Sequence, residues 1–288
     1  MISDSSMTSG RMLLITGMHR SGTSLVAGWL HACGMDLGED FYEPTYGNPL
    51  GHFEDLDFVG FHKRALERQG LDFVLTPDQV ITTTIEDTKD AYALLREKPG
   101  RQQWGWKDPR SALFLDFWRA RLANVRVLGL YRPFSTVVDS LMRRDLLQPA
   151  SAWKKSLLPV WHSPKNRWLT KRYLGTWIRY NEALLAFADA YPDDVVLVRT
   201  DAVLQDEASL RAKLTGAWDF HLDNKSIATV YDTASLNVEV PDVRFPKKLA
   251  ERARVIFEQL EAHRARSLGV SKQGGQSSSN ASAASSPA

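Results

Sequence analysis

A short apolar run, Met12-Leu13-Leu14-Ile15, leads directly into Gly17-Met-His-Arg-Ser-Gly-Thr-Ser24. The glycine spacing is that of a phosphate-binding loop, G-x-x-x-x-G-K-[S/T], with Thr23 standing where the lysine belongs. Few local patterns restrict a fold as tightly. A buried strand must end in a loop whose backbone N–H groups curl around an anion, and a helix must start there with its positive end facing that anion. In nucleotide triphosphatases the lysine reaches the β- and γ-phosphates, so its absence argues against ATP or GTP hydrolysis. The backbone donors still argue for a phosphate, and the cation has moved to Arg20, inside the loop. Taken alone, the turn also fits a bare strand-to-helix connection.

The rest of the chain supplies the sheet that such a loop needs. Strands are expected at 12–16, 104–107, 125–131 and 194–199, alternating with helical patterns. That is the order of an α/β fold with a central parallel sheet covered on both faces. The first helix should run from about Thr23 to Cys33 and stop at Gly34, a left-handed cap. A second begins at Pro133, since proline suits the first helical position. Residues 169–190 place Leu174, Trp177, Ile178, Leu184, Leu185 and Ala188 at helical spacing, with Asn181 the one polar member. Leu249, Ala253, Ile256, Phe257 and Leu260 form a last apolar stripe. These stripes read as core faces. Trp153, Trp161 and Trp168 lie in a stretch, 145–168, without clear periodicity, which suits a packed excursion or a lid over a cleft.

Residues 1–10 read as a flexible leader and 11–268 as one domain. From Gly269 to Ala288 the chain turns to Ser, Ala, Gly and Gln, a tail too poor in apolar side chains to offset its ordering entropy. With 36 basic and 34 acidic residues the net charge is +2, so no global field invites nucleic acid. Cys33 is the one cysteine, which rules out an internal disulfide; it falls among apolar helix positions and reads as a small buried hydrophobe. No apolar run reaches the roughly 20 residues of a membrane span, and the N-terminus lacks the build of a signal peptide. A cytoplasmic protein without a membrane span is expected, its oligomeric state open.

Three further segments carry chemistry. Strand 125–131 runs into Arg132-Pro133, with Ser140 and Arg144 following. Arg132 stands where strand becomes helix, the edge at which open α/β sheets bind ligands. Ser140 and Arg144 are four apart and share a helix face that starts beside Arg132. Two guanidinium forks and a hydroxyl along one line suit a phosphate monoester dianion. Trp104-Gly-Trp-Lys-Asp-Pro-Arg110 puts Lys107 at a strand's C-terminal end, before Pro109 forces the chain out of the sheet. Asp108 either holds that lysine or organises the turn. Gly47-Asn-Pro-Leu-Gly-His-Phe-Glu-Asp55 has the residues of a structured loop, with Glu54 as candidate base and His52 as its competitor.

In this order the segments resemble sulfotransferases that use 3′-phosphoadenosine 5′-phosphosulfate (PAPS). Arg20-Ser21-Gly22-Thr23 resembles their 5′-phosphosulfate loop in its arginine variant, and Arg132-x₇-Ser140-x₃-Arg144 their 3′-phosphate site. Lys107-Asp108-Pro109 resembles an element of the tyrosylprotein and carbohydrate members, and the segment ending at Glu54 one in bacterial members. The resemblance spans about residues 11–215 and implies a P-loop-type three-layer sandwich. It implies that PAPS, as co-substrate, lies on His19, Arg20, Ser21, Gly22, Thr23 and Ser24, with its 3′-phosphate on Arg132, Ser140 and Arg144. Glu54, or His52, would deprotonate a hydroxyl-bearing acceptor, a carbohydrate or another small or lipid-linked alcohol. Arg20 and Lys107 would stabilise charge in the transition state, with no metal required. His19, where these enzymes often have proline, would border the acceptor. The basic loop that closes over the nucleotide in many relatives has no clear counterpart: Ser235-Leu-Asn-Val238 lacks basic residues, and Arg244, Lys247 and Lys248 are the nearest. A small-molecule kinase, or a binding protein built on an inactive scaffold of this kind, are the other classes the residues allow.

Overall fold

The computed structural model describes residues 10–43, 51–98, 101–147, 164–230 and 243–270. Its strands are β1 (Arg11–Thr16), β2 (Gln103–Lys107), β3 (Val125–Tyr131) and β4 (Val195–Arg199), within a residue of the expected bounds. They form one parallel sheet in the order β2-β1-β3-β4.

Side chains alternate across this sheet, as the pleat requires. Met12, Leu14, Val125, Val127, Val195 and Leu197 belong to one core, and Leu13, Ile15, Leu128, Leu130, Val196 and Val198 to the other. Both faces are therefore covered, which is why the strands read as continuous apolar runs. The second face is closed by α1 (Thr23–Ala32), α7 (Val203–Ala212) and the short α8 (Ile227–Val230). The first carries α2 (Leu56–Glu67), α3 (Ile85–Arg96), α4 (Leu115–Arg119), α5 (Phe134–Leu147), α6 (Pro164–Ala190) and α9 (Lys247–Leu268). The chain leaves β1 toward one face and β3 toward the other. The adjacent C-terminal ends of β1 and β3 thus form the switch point at which such sheets bind ligands.

Gly34 adopts the left-handed conformation after α1 (φ 89°), as expected, and Cys33 is buried beside it. α6 begins at Pro164 and takes in Trp168, which is 56% exposed on a regular helix; residues 148–163, with Trp153 and Trp161, lie outside the described residues. So do residues 1–9, 235–238 and 271–288. Gly269 caps α9 with φ 65°, and Val270 packs on the second core. Lys247 and Lys248 form the first turn of α9. No helix among the described residues is long and apolar enough to cross a membrane.

Candidate active site

Gly17 opens the loop with φ 147°, and a Cβ there would lie 2.0 Å from the Leu130 carbonyl oxygen. Only glycine lets the loop pass so close to β3. Arg20 is left-handed (φ 69°), as is Gly22 (φ 78°), which serves as N-cap of α1 without a side-chain cap. The first-turn N–H groups of α1 thus present an uncapped positive end to the switch point. Thr200, just beyond β4, clamps the loop: its hydroxyl donates to the Ser21 carbonyl at 2.6 Å, and its methyl group would meet any Cβ at Gly22 at 2.3 Å. Nothing in local spacing marks Thr200, because the contact spans 179 residues.

Lys107 ends β2 opposite Ile15, which places it beside the loop, as expected if the two strands are neighbours. Its amine is buried and donates to Ser24 Oγ at 3.0 Å, to the His52 carbonyl at 3.0 Å and to Glu54 Oε1 at 2.6 Å. Lys107 thus brings an amine to this loop from another strand, already paired with a carboxylate. Glu54 is 7% exposed. Residues 47–50 of its segment lie outside the described residues.

Asp108 does not hold the lysine; it organises the turn. Its Oδ1 accepts from the Arg110 N–H and guanidinium, both at 2.9 Å, and its Oδ2 meets His62 Nδ1 at 2.9 Å. His62 Nε2 accepts from the Trp118 indole at 2.9 Å, which fixes the neutral tautomer with its proton on Nδ1. Burial pushes the Asp108 carboxyl up, but the Arg110 charge and the His62 bond outweigh it and hold the group well below the usual carboxylate range.

On the other side, Arg132 follows Tyr131 at the end of β3. Its Nε is buried without a hydrogen-bond partner among the described residues, as is Ser21 Oγ. Burial lowers the Arg132 pKa, with the Asp201 carboxylate opposing. Arg20 Nε donates to Ser140 Oγ at 2.8 Å, so the loop and the α5 line touch directly. The sequence assigned those two residues to opposite ends of a donor; the left-handed backbone at Arg20 is compatible with this closer arrangement. Burial lowers the Arg20 pKa, and the positive charges of Arg144 and Arg132 lower it further, so three guanidinium groups share one field. Arg144 pairs with Asp145 at 3.1 Å and stands over the Phe73 ring at 5.3 Å.

His19 is half-buried, its ring edge-on to Phe73 (4.7 Å) and Tyr180 (6.4 Å). Burial depresses its pKa, and the Arg110 cation adds to this. His52 is depressed by burial, against the pull of Glu54.

α9 contributes more than its apolar stripe. Glu261 accepts from the Tyr131 hydroxyl at 2.7 Å and from Arg199 at 3.1 Å, tying together the ends of β3 and β4 from which Arg132 and Thr200 project. Arg264, itself buried, locks Glu261 and Asp206 in the same network. The polar positions between apolar ones on this helix were the available signal. Phe73, Arg110 and Tyr180 were likewise unassigned; Tyr173, Thr176 and Tyr180 form a second stripe on α6 at helical spacing.

No protein-family model matches the chain, and no curated protein matches it. Solved structures do. The sulfotransferase domain from the curacin biosynthetic pathway is 16% identical, over 87% of this chain and 97% of that one, with a TM-score of 0.46. A sulfotransferase from Mycobacterium tuberculosis is 18% identical, over 87% and 78%, with a TM-score of 0.48. The sulfotransferase domain of the Synechococcus olefin synthase is 14% identical, over 87% and 95%, with a TM-score of 0.46. Each of these is a sulfotransferase, and the likeness is one of fold.

Proposed function

We propose that this chain transfers the sulfuryl group of PAPS to an acceptor hydroxyl. The observation that supports this reading most is the contact of Lys107 with both Ser24, at the start of α1, and Glu54. It sets a cation and a carboxylate side by side at the mouth of an anion-binding loop. In the proposed step Glu54 takes the acceptor proton while the acceptor oxygen bonds to sulfur and the bond from sulfur to the phosphate oxygen breaks. The departing bisphosphate keeps that electron pair. Lys107 stabilises the charge that builds on the transferring group, a role for which a buried, preoriented cation is suited.

The donor's 3′-phosphate would rest on Arg132, Ser140 and Arg144, and Arg132 Nε and Ser21 Oγ, buried without a partner among the described residues, suit a ligand rich in acceptor oxygens. Arg20 bridges the loop and the α5 line and so belongs to the phosphate side, leaving Lys107 as the cation nearer Glu54. The deciding experiment incubates the protein with labelled PAPS and alcohol acceptors and reads the mass of one added sulfuryl group. Absence of binding by the product, 3′-phosphoadenosine 5′-phosphate, would remove the reading altogether.

A further inference from the structure

We propose that Glu261 of α9 is a positioning residue for the donor. Its carboxylate fixes the spacing between the 3′-phosphate subsite and the loop that takes the 5′-phosphate. The inference rests on the donor reading above and deepens it. Glu261 lies beyond residues 11–215, the stretch that the resemblance spans, so no motif points to it.

β3 and β4 end on one register pair, Tyr131 opposite Arg199. The residue after each belongs to the site. Arg132 follows Tyr131, its Nε buried without a partner among the described residues, and Thr200 follows Arg199 and clamps the phosphate loop. The ladder stops one residue short of both, so it does not itself hold their separation. Glu261 does. Its Oε1 accepts from the Tyr131 hydroxyl at 2.7 Å and its Oε2 from Arg199 at 3.1 Å, so one carboxylate bridges the last rung.

Each bridged end is tied onward to the site. The Trp177 indole N–H donates to the Arg132 carbonyl at 3.1 Å and anchors that turn to α6. The Thr200 hydroxyl anchors the end of β4 to the loop through the Ser21 carbonyl. Glu261 joins these two anchored ends.

The carboxylate has no room to swing. Arg264 donates to the same Oε2 at 3.3 Å and forks onto both oxygens of Asp206, at 2.5 and 2.6 Å. Asp206 belongs to α7, which covers the other face of the sheet, so the bridge is braced from both layers. Tyr131, Arg264 and Asp206 are at most 2% exposed and Glu261 8%. Apolar side chains often fill such a space as stably as buried charges do. What the charges add is direction, since each hydrogen bond constrains a distance and an angle.

A donor with two phosphates is a bivalent ligand. Its gain over either phosphate alone depends on the spacing of the two subsites. Loss of the bridge therefore costs the bisphosphate most.

The test compares dissociation constants for 3′-phosphoadenosine 5′-phosphate, adenosine 5′-monophosphate and adenosine 3′-monophosphate, by calorimetric titration of protein shown by circular dichroism to be folded. Glu261→Gln should weaken the bisphosphate about tenfold or more, and each monophosphate less than about threefold. A merely structural role would shift all three alike. Tyr131→Phe cuts one arm of the bridge and should show the same selective loss, so the test stands if Glu261→Gln does not fold. Equal shifts for the three nucleotides, or an unchanged bisphosphate constant, would overturn the proposal. Failure of the donor reading looks different: wild-type protein would not bind the bisphosphate at all, and this proposal would fall with it.

Discussion

Lys107 and Glu54 meet across 2.6 Å although 53 residues separate them, and the lysine side chain is only 1% exposed. Such a pair is expensive to break from one side, because the survivor is a buried charge without its partner. Lys107→Met should cost about 3 kcal/mol of stability by that mechanism. The double variant Lys107→Met/Glu54→Gln should recover part of the loss, since it removes both charges. Urea unfolding of the two variants checks this, and a double variant less stable than the single one would refute it. Turnover should be lost in both.

Glu54 and His52 compete for one role, and turnover separates them. With Glu54 as base, Glu54→Gln should lower kcat by ~10²–10⁴-fold, while His52→Gln costs far less. The Lys107 bond to His52 uses the backbone carbonyl, which the substitution leaves in place. Rates at saturating donor decide, and the reverse ranking would move the role to His52.

Arg132 is the sharpest test of donor binding, because its Nε is buried without a partner among the described residues. Arg132→Ala should weaken binding of 3′-phosphoadenosine 5′-phosphate by about 1.5–3 kcal/mol, the worth of a charge-assisted hydrogen bond. Calorimetric titration measures it. A nucleotide without the 3′-phosphate should bind wild type and variant alike.

His19 gives the fold a pH dependence of definite sign. Its folded-state pKa is depressed, chiefly by burial, so the unfolded chain takes up a proton first as the pH falls through about 6.5. The contribution to stability is complete above that value and is lost progressively below it, with a limiting slope of about 1.4 kcal/mol per pH unit. His19→Gln should therefore show a shallower loss of stability between neutral and mildly acid pH than wild type. Parallel curves would mean that His19 titrates normally.

The strands, the glycine turn from β1 into α1 and the sharing of one helix by Ser140 and Arg144 could all be recognised from the chain itself. Their signals are local: apolar runs at Met12–Ile15 and Val125–Tyr131, glycines at fixed spacing, and two polar residues four apart on one helix. Backbone sterics and helical periodicity act over a few residues, and the sequence displays them directly. What Lys107 touches was another matter. Its place beside Ser24 depends on β2 pairing with β1, and its pairing with Glu54 depends on a loop folding back 53 residues away. The same holds for Asp108 with His62, for Thr200 with Ser21, and for Leu75 with Thr176. Tertiary structure alone decided these contacts, because they follow from strand order and from which helix faces the packed core brings together.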